Sequence, residues 1–155
     1  MTAAEHSADA ELTFPTGAAA ARGRVRTLLD RHLPLLVGPP QGVEGANGAH
    51  EAAAAEGAAG MERIFTDVLL VTSELVTNAI RHGGGLTGFA AIVEDGCVHL
   101  IVSDASDQPP VRSPVAMTGQ PGGYGWPLVC SVSEDVTVTP HPEGGKTINA
   151  RVRLV

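Results

Sequence analysis

A run of apolar residues at helical spacing near the middle of the chain most constrains the fold. Within residues 61–82, apolar side chains recur at steps of three and four residues: Ile64, Val68, Val71, Leu75 and Ala79. This spacing places them on one face of a helix, and that face must pack against other elements. The sequence GGG follows and predicts the end of the helix. A long helix with one buried face is therefore the central predicted element.

Alternating apolar and polar residues after this helix predict two hairpins. Residues 86–94 and 97–104 alternate and are separated by an Asp-Gly pair, which is favoured in two-residue hairpin turns. Residues 135–139 and 146–154 also alternate and are joined by PHPEGG. Helices that are segregated from a mostly antiparallel sheet indicate an α+β fold, a two-layer sandwich with the helices on one face of the sheet.

The rest of the chain predicts short elements and two irregular segments. We expect one domain over residues 11–155, because the length suits a single core. Its other predicted parts are a short strand at 11–15, a helix at 16–33, a flexible loop rich in glycine and alanine at 38–60, and a short helix at 124–132. In the loop, only HEAAAAE is expected to form a transient helical turn. Residues 1–10 are predicted to be a disordered tail.

Composition excludes several classes of protein. The net charge of -7 argues against a general nucleic-acid binder, which needs a basic surface. Cys97 and Cys130 form no CxxC pair, so neither a disulfide framework nor a zinc ribbon is indicated. No segment has the apolar length of a membrane span, and the N-terminus does not resemble a signal peptide. We expect a soluble, cytoplasmic chain whose partners are proteins or small molecules.

Two polar residues of the central helix are candidates for chemistry. Glu74 and Asn78 are four residues apart, so they lie one turn apart on the same side of the helix. A carboxylate and a carboxamide are oxygen ligands that suit Mg²⁺, and the carboxylate is also suited to activate a water or a hydroxyl. On these two residues alone, side chains that merely face solvent explain the pattern as well.

Two more features follow the first predicted hairpin. Asp104 ends an apolar strand, where a buried acceptor needs a donor. That donor is either an amino group of a ligand ring or the backbone of an ordinary capped turn. Gly122, Gly123 and Gly125 precede a short helix, and such glycines let backbone N–H groups approach an anion closely. Each feature alone has low specificity.

Two other patterns carry no function. The sequence GGKT, residues 144–147, ends like a phosphate-binding P-loop, but Pro140 stands where that motif needs glycine and a strand follows. The 6 histidines are scattered and form no ligand pair. We interpret His82 as a helix C-terminal residue that is favoured by the helix dipole.

Taken in order, the weakly specific features form one pattern. ELVTNAIRHG, VSDASDQPP, and GGYGWPLV followed by GGKT resemble the N, G1 and G2 boxes of the GHKL ATPase superfamily, which includes DNA gyrase and the sensor histidine kinases. The compact size and ELVTNAIRHG look like the anti-sigma-factor serine/threonine kinases of that superfamily. The resemblance covers about residues 11–155 without 38–60. It implies the Bergerat fold, which is the histidine-kinase-like ATPase fold.

The resemblance implies roles for individual residues. By this resemblance Glu74 is the general base, Asn78 binds Mg²⁺, and Asp104 accepts a hydrogen bond from the adenine amino group of ATP. It also implies that residues 111–121 form a lid over the nucleotide. The other nucleotide-binding residues that it implies are Arg81, His82, Gly122, Gly123 and Gly125 near the phosphates, and Ser106 and Thr147 near the adenine.

Two of the boxes depart from the family pattern. The G1 box usually has glycines two and four residues after its aspartate, whereas here Ser106 and a glutamine stand there, with the acidic Asp107 between them. Close relatives usually carry an arginine in the G2 loop, whereas this chain has Tyr124. A cation that faces the phosphates is therefore missing, and Lys146 and Arg81 are the candidates to replace it.

These features predict one of two functions. The first is a serine/threonine kinase that transfers the γ-phosphate of Mg-ATP to an anti-anti-sigma factor and thereby controls release of a sigma factor. The second is a partner-binding module of the same fold that binds ATP weakly or not at all. Both predict a protein partner and no direct contact with nucleic acid or membrane, and both leave a homodimer open.

Overall fold

The computed structural model of the chain describes residues 14–37, 47–110 and 125–155. Its elements are α1 (Ala18–Val37), α2 (Asn47–Arg81), β1 (Leu86–Glu94), β2 (Cys97–Asp104), α3 (Gly125–Val132), β3 (Asp135–Pro140) and β4 (Lys146–Arg153). The strands form one antiparallel sheet in the order β1-β2-β4-β3. The described helices pack against one face of this sheet. The predicted two-layer α+β sandwich is therefore confirmed.

Alternation along the strands creates the core between the two layers. On the helix-facing side, β2 contributes Val98, Leu100 and Val102, and β4 contributes Ile148, Ala150 and Val152, all of them buried. The apolar face predicted for α2 meets them, because Val68, Val71, Leu75 and Ala79 are at most 1% exposed. Helix α1 adds a second buried face from Ala21 to Leu33. The core therefore fixes which residues of α2 face away from the sheet.

The first hairpin has the bounds predicted from the sequence. Its turn places Asp95 at φ 50° and Gly96 at φ 71°. Positive φ at both central residues is the geometry of a type I′ turn, whose twist matches that of the strands it joins. The Asp-Gly pair thereby sets the register from Glu94 opposite Cys97 to Gly88 opposite Ser103, and a shift between Leu86 and Gly88 then places Leu86 of β1 opposite Asp104 of β2. This register brings the end of β2 close to the C-terminus of α2.

The helical layer differs from the prediction in three places. The loop predicted at 38–60 is wrong for residues 47–60, which form the beginning of α2. The alanines there have the highest helix propensity, so the helix continues although residues 52–60 are exposed. Helix α1 also continues past the predicted end at Leu33, and Phe14 and Pro15 form no strand. The predictions for residues 1–13 and 38–46 lie outside the described residues.

At the end of the sheet farthest from Asp104, charged residues surround Cys97. Glu134 accepts a hydrogen bond from Arg153 and forms an ion pair with Arg151, and the Arg153 bond lowers the pKa of the Glu134 carboxyl. Burial, together with a hydrogen bond to Glu134, raises the pKa of the Cys97 thiol. Both Cys97 and Cys130 are free thiols. None of the helices described has the length and apolar character that a membrane span requires.

Candidate functional site

The C-terminal half of α2 presents the two predicted catalytic and metal-binding residues on one side. Glu74 and Asn78 are both half-buried, whereas Leu75 and Ala79 beside them are buried in the core. The two polar residues therefore lie at the rim of the core, as their spacing predicts. Both side chains are partly exposed.

Glu74 lies against the first residue of α3. A Cβ atom at Gly125 would overlap the Glu74 carboxylate, so only glycine permits this approach. The two residues line one cavity of about 400 Å³ together with Pro127, Leu128 and Ser131. The N-terminal end of a helix carries partial positive charge, which favours an anion at this position. The structure thus brings the predicted general base to the last glycine of the predicted phosphate loop.

The opposite end of the site is built around Asp104. This residue is 5% exposed at the end of β2. Gly83, at the end of α2, is buried beside it, and a Cβ atom at Gly83 would lie 2.5 Å from Cγ of Asp104. The bulk of any other side chain at position 83 would displace the carboxylate. The C-terminus of α2 and the end of β2 are therefore fitted to each other.

Asp104 has a donor within the chain, and that donor is Lys146. The two residues are paired in the register of β2 and β4, and Nζ of Lys146 lies 2.8 Å from Oδ1 of Asp104. The backbone N–H of Ser106 donates to the same oxygen at 3.0 Å, as in an Asx turn. Lys146 also donates to the carbonyl oxygen of Ser106 at 3.1 Å. Asp104 therefore both caps its own turn and forms a buried ion pair.

Asp107, which departs from the family pattern, has a structural role. Its Oδ1 accepts a hydrogen bond of 2.6 Å from the backbone N–H of Gly145. Gly145 has φ 84°, and a Cβ atom there would overlap the carbonyl oxygen of Asp104. The segment after Asp104 is thus fastened to the loop between β3 and β4 by side chains, where the usual G1 box has glycines. We call this set of contacts from Asp107 and Lys146 the G1 latch.

The structure separates several of the other predicted residues from Asp104. Thr147 is next to Lys146 in β4 and consequently lies on the other face of the sheet, where its hydroxyl bonds to Ser103 and His141 at 2.7 Å each. Lys146, not Thr147, is the β4 residue that reaches Asp104. Arg81 and His82 are exposed at the end of α2. Gly122, Gly123, Tyr124 and the lid predicted at 111–121 lie outside the described residues.

Sequence reasoning missed the residues that hold Asp104 in place. Gly83 was interpreted only as a helix terminator, and Lys146 as a candidate for the phosphates. A signal was present, since a lysine at the start of a buried alternating strand requires an acidic partner. The partner itself depends on the strand register, which the sequence did not reveal. Because Lys146 is occupied by Asp104, it is not the cation that replaces the missing arginine of the G2 loop.

The residues present fit a nucleotide with a magnesium ion. The described residues contain no group of three His, Cys, Asp or Glu side chains that could hold a metal. Glu74 and Asn78 nevertheless supply oxygen atoms, and Mg²⁺ commonly takes only one or two protein ligands and completes its shell with phosphates and water. Gly125, which has no side chain, lets the Glu74 carboxylate approach the start of α3. Asn78 is therefore the residue that would hold the ion.

Comparison with known proteins agrees with this geometry. Residues 40–152 match the model of the histidine kinase-like ATPase domain. The chain is also 33% identical over 96 residues to the anti-sigma F factor of Geobacillus stearothermophilus, a match that covers 54% of this chain and 66% of that relative. It is 33% identical over 102 residues to the anti-sigma F factor of Bacillus velezensis, with 58% of this chain and 70% of that relative covered.

Proposed function

Because the chain belongs to the histidine kinase-like ATPase domain family, we propose that it is an ATP-binding regulatory protein that acts on a protein partner in sigma-factor control. The match to two proteins named anti-sigma F factor supports the regulatory role. The observation that carries the nucleotide site is the approach of Glu74 to Gly125 at the start of α3. Asp104, at the other end of the site, is suited to accept a hydrogen bond from the amino group of adenine.

The favoured reaction is transfer of the γ-phosphate of ATP to a serine or threonine hydroxyl of an anti-anti-sigma factor. Glu74 takes the proton of the incoming hydroxyl, the hydroxyl oxygen bonds to the γ-phosphorus, and ADP leaves with the electrons of the broken bond. Asn78 would hold Mg²⁺, which when bound would neutralise charge on the phosphate oxygens. The N-terminus of α3 stabilises negative charge beside Glu74.

A second candidate function is sequestration of the partner without phosphate transfer. The Asp104–Lys146 ion pair favours it, because this pair removes one of the two cations that were candidates to face the phosphates. The other, Arg81, is exposed at the end of α2. In this alternative the same surface binds its partner, and nucleotide binding is weak.

Incubation with radiolabelled ATP and candidate anti-anti-sigma proteins separates the two functions. We expect label on the partner with the wild type, and a rate reduced about 10²- to 10⁴-fold in Glu74→Gln, which removes the general base but keeps the shape. Glu62→Gln, at an exposed position more than three turns away on α2, is the matched control and should transfer label at the wild-type rate. Stable binding of a partner without transferred label would favour sequestration over the kinase.

A further inference from the structure

The adenine end of the proposed site contains the only lysine of the chain. The sequence has 10 lysine and arginine residues, and all of them except Lys146 are arginine. The Lys146 side chain is 6% exposed, as is that of Asp104. A buried charge is costly without a partner, so the two residues hold each other in place. Lys146 is therefore part of the site and not a surface charge.

The hydrogen bonds of this pair leave one donor and one acceptor for a ligand. An ammonium group has three N–H donors, and two of those of Lys146 go to Oδ1 of Asp104 and to the carbonyl oxygen of Ser106. The described residues provide no acceptor for the third. Oδ1 of Asp104 already accepts from Lys146 and from Ser106, whereas Oδ2 has no donor within 14–37, 47–110 and 125–155. The pair therefore retains one acceptor, Oδ2, and one N–H donor that no described residue engages.

We propose that Lys146 determines nucleobase specificity by donating a hydrogen bond to a ring nitrogen of adenine. This nitrogen is next to the 6-amino group, which donates a hydrogen bond to Oδ2 of Asp104. This inference rests on the proposed ATP-binding function and adds a second contact to that of the aspartate. Adenine carries a donor beside an acceptor on this edge, which complements the pair. Guanine has a carbonyl oxygen in place of the amino group, and two acceptors would then face each other at Oδ2. The pair thus selects adenine over guanine.

The chemistry of lysine suits this role better than that of arginine. The ammonium group is compact and has three rotatable donors, whereas the guanidinium group is a planar fork. A compact donor can contact Asp104, Ser106 and a ligand atom from one buried position. A planar fork at position 146 would engage the carboxylate with two parallel bonds and occupy Oδ2 as well. The lysine contacts only Oδ1, at 2.8 Å.

A single NMR signal tests the contact directly. In full-length protein grown with ¹⁵N-lysine, only Lys146 carries a labelled Nζ, so that one ammonium signal reports on the site. We expect Mg-ATP to shift this signal. The probes are 1-deaza-ATP and 7-deaza-ATP, each of which lacks one of the ring nitrogens beside the amino group. The analogue that lacks the contacted nitrogen should bind about 10-fold or more weakly than ATP, because hydrogen bonds to charged donors are strong.

Variants provide the second readout. Lys146→Met should bind ATP and that analogue with equal affinity. This variant leaves Asp104 buried without its partner and can destabilise the fold. The double variant Asp104→Asn with Lys146→Met avoids the unpaired charge. It should also bind ATP and that analogue with equal affinity. Arg151→Met, which removes an exposed cation from the same strand, is the control and should bind ATP more tightly than the analogue, as the wild type does.

The outcomes separate this inference from the proposed function. If the wild type binds both analogues as tightly as ATP and the lysine signal does not move, Lys146 makes no base contact and the inference is overturned, while ATP binding stands. If the wild type binds no nucleotide at all, both the inference and the proposed function are overturned. Tighter binding of GTP than of ATP would also contradict the assigned specificity.

Discussion

At the scale of single residues, the site depends on two positions without a side chain. Gly83 leaves space for Asp104, and Gly125 leaves space for Glu74. Sequence reasoning singled out Glu74, Asn78 and Asp104 as candidates, because carboxylates and a carboxamide stand out within or at the end of apolar runs. It assigned Gly83 only to helix termination, since the close approach of a side chain from another element is a property of the folded chain.

Substitution of Gly83 tests this fit. Gly83→Ala is expected to lower the free energy of unfolding by about 1–3 kcal/mol, because the new Cβ atom overpacks against Asp104. Gly60→Ala, at an exposed position of α2 with no atom nearby, is the control and should stabilise the protein by up to about 1 kcal/mol. Urea denaturation measures both. A Gly83→Ala protein as stable as the wild type would show that Asp104 is not confined by α2.

At the scale of secondary structure elements, strands were more predictable than helix ends. The bounds of both strands of the first hairpin were predicted to the residue, because an Asp-Gly turn joins two alternating segments, whereas the register shift between Leu86 and Gly88 was not predicted. The beginning of α2 was missed because residues 47–60 contain no large apolar side chain, so helix propensity alone forms that segment. The G1 latch was unpredictable for another reason, since it joins residues far apart in sequence.

Removal of the Asp107 side chain tests the G1 latch. In Asp107→Ala the N–H of Gly145 loses its 2.6 Å hydrogen bond to the carboxylate. The amide hydrogen of Gly145 should therefore exchange faster with solvent. The free energy of unfolding should fall by roughly 1 kcal/mol, as for one hydrogen bond. Glu143→Ala removes an exposed carboxylate from the same loop and should leave the Gly145 exchange rate unchanged. Equal exchange rates in both variants and the wild type would contradict the latch.

At the scale of the whole molecule, the two-layer fold places two chemically different ends of one site along α2. Glu74 lies beside the start of α3, Asn78 follows one turn later on α2, and Asp104 lies beside Gly83 just after the end of the same helix. A nucleotide also has two chemically different ends, because it has phosphates at one end and a base at the other. The central proposal is therefore that Mg-ATP binds along α2 with its phosphates near Asn78 and its adenine near Asp104.

Titration calorimetry with ATP, in the presence and absence of Mg²⁺, tests this proposal most directly. We predict that Mg²⁺ increases the affinity of the wild type for ATP and that Asn78→Ala loses this increase, because the carboxamide that holds the ion is gone. Asn149→Ala makes the same change on the opposite face of the sheet and should retain the Mg²⁺ effect. Absence of Mg-ATP binding to the wild type, or an undiminished Mg²⁺ effect in Asn78→Ala, would contradict the account.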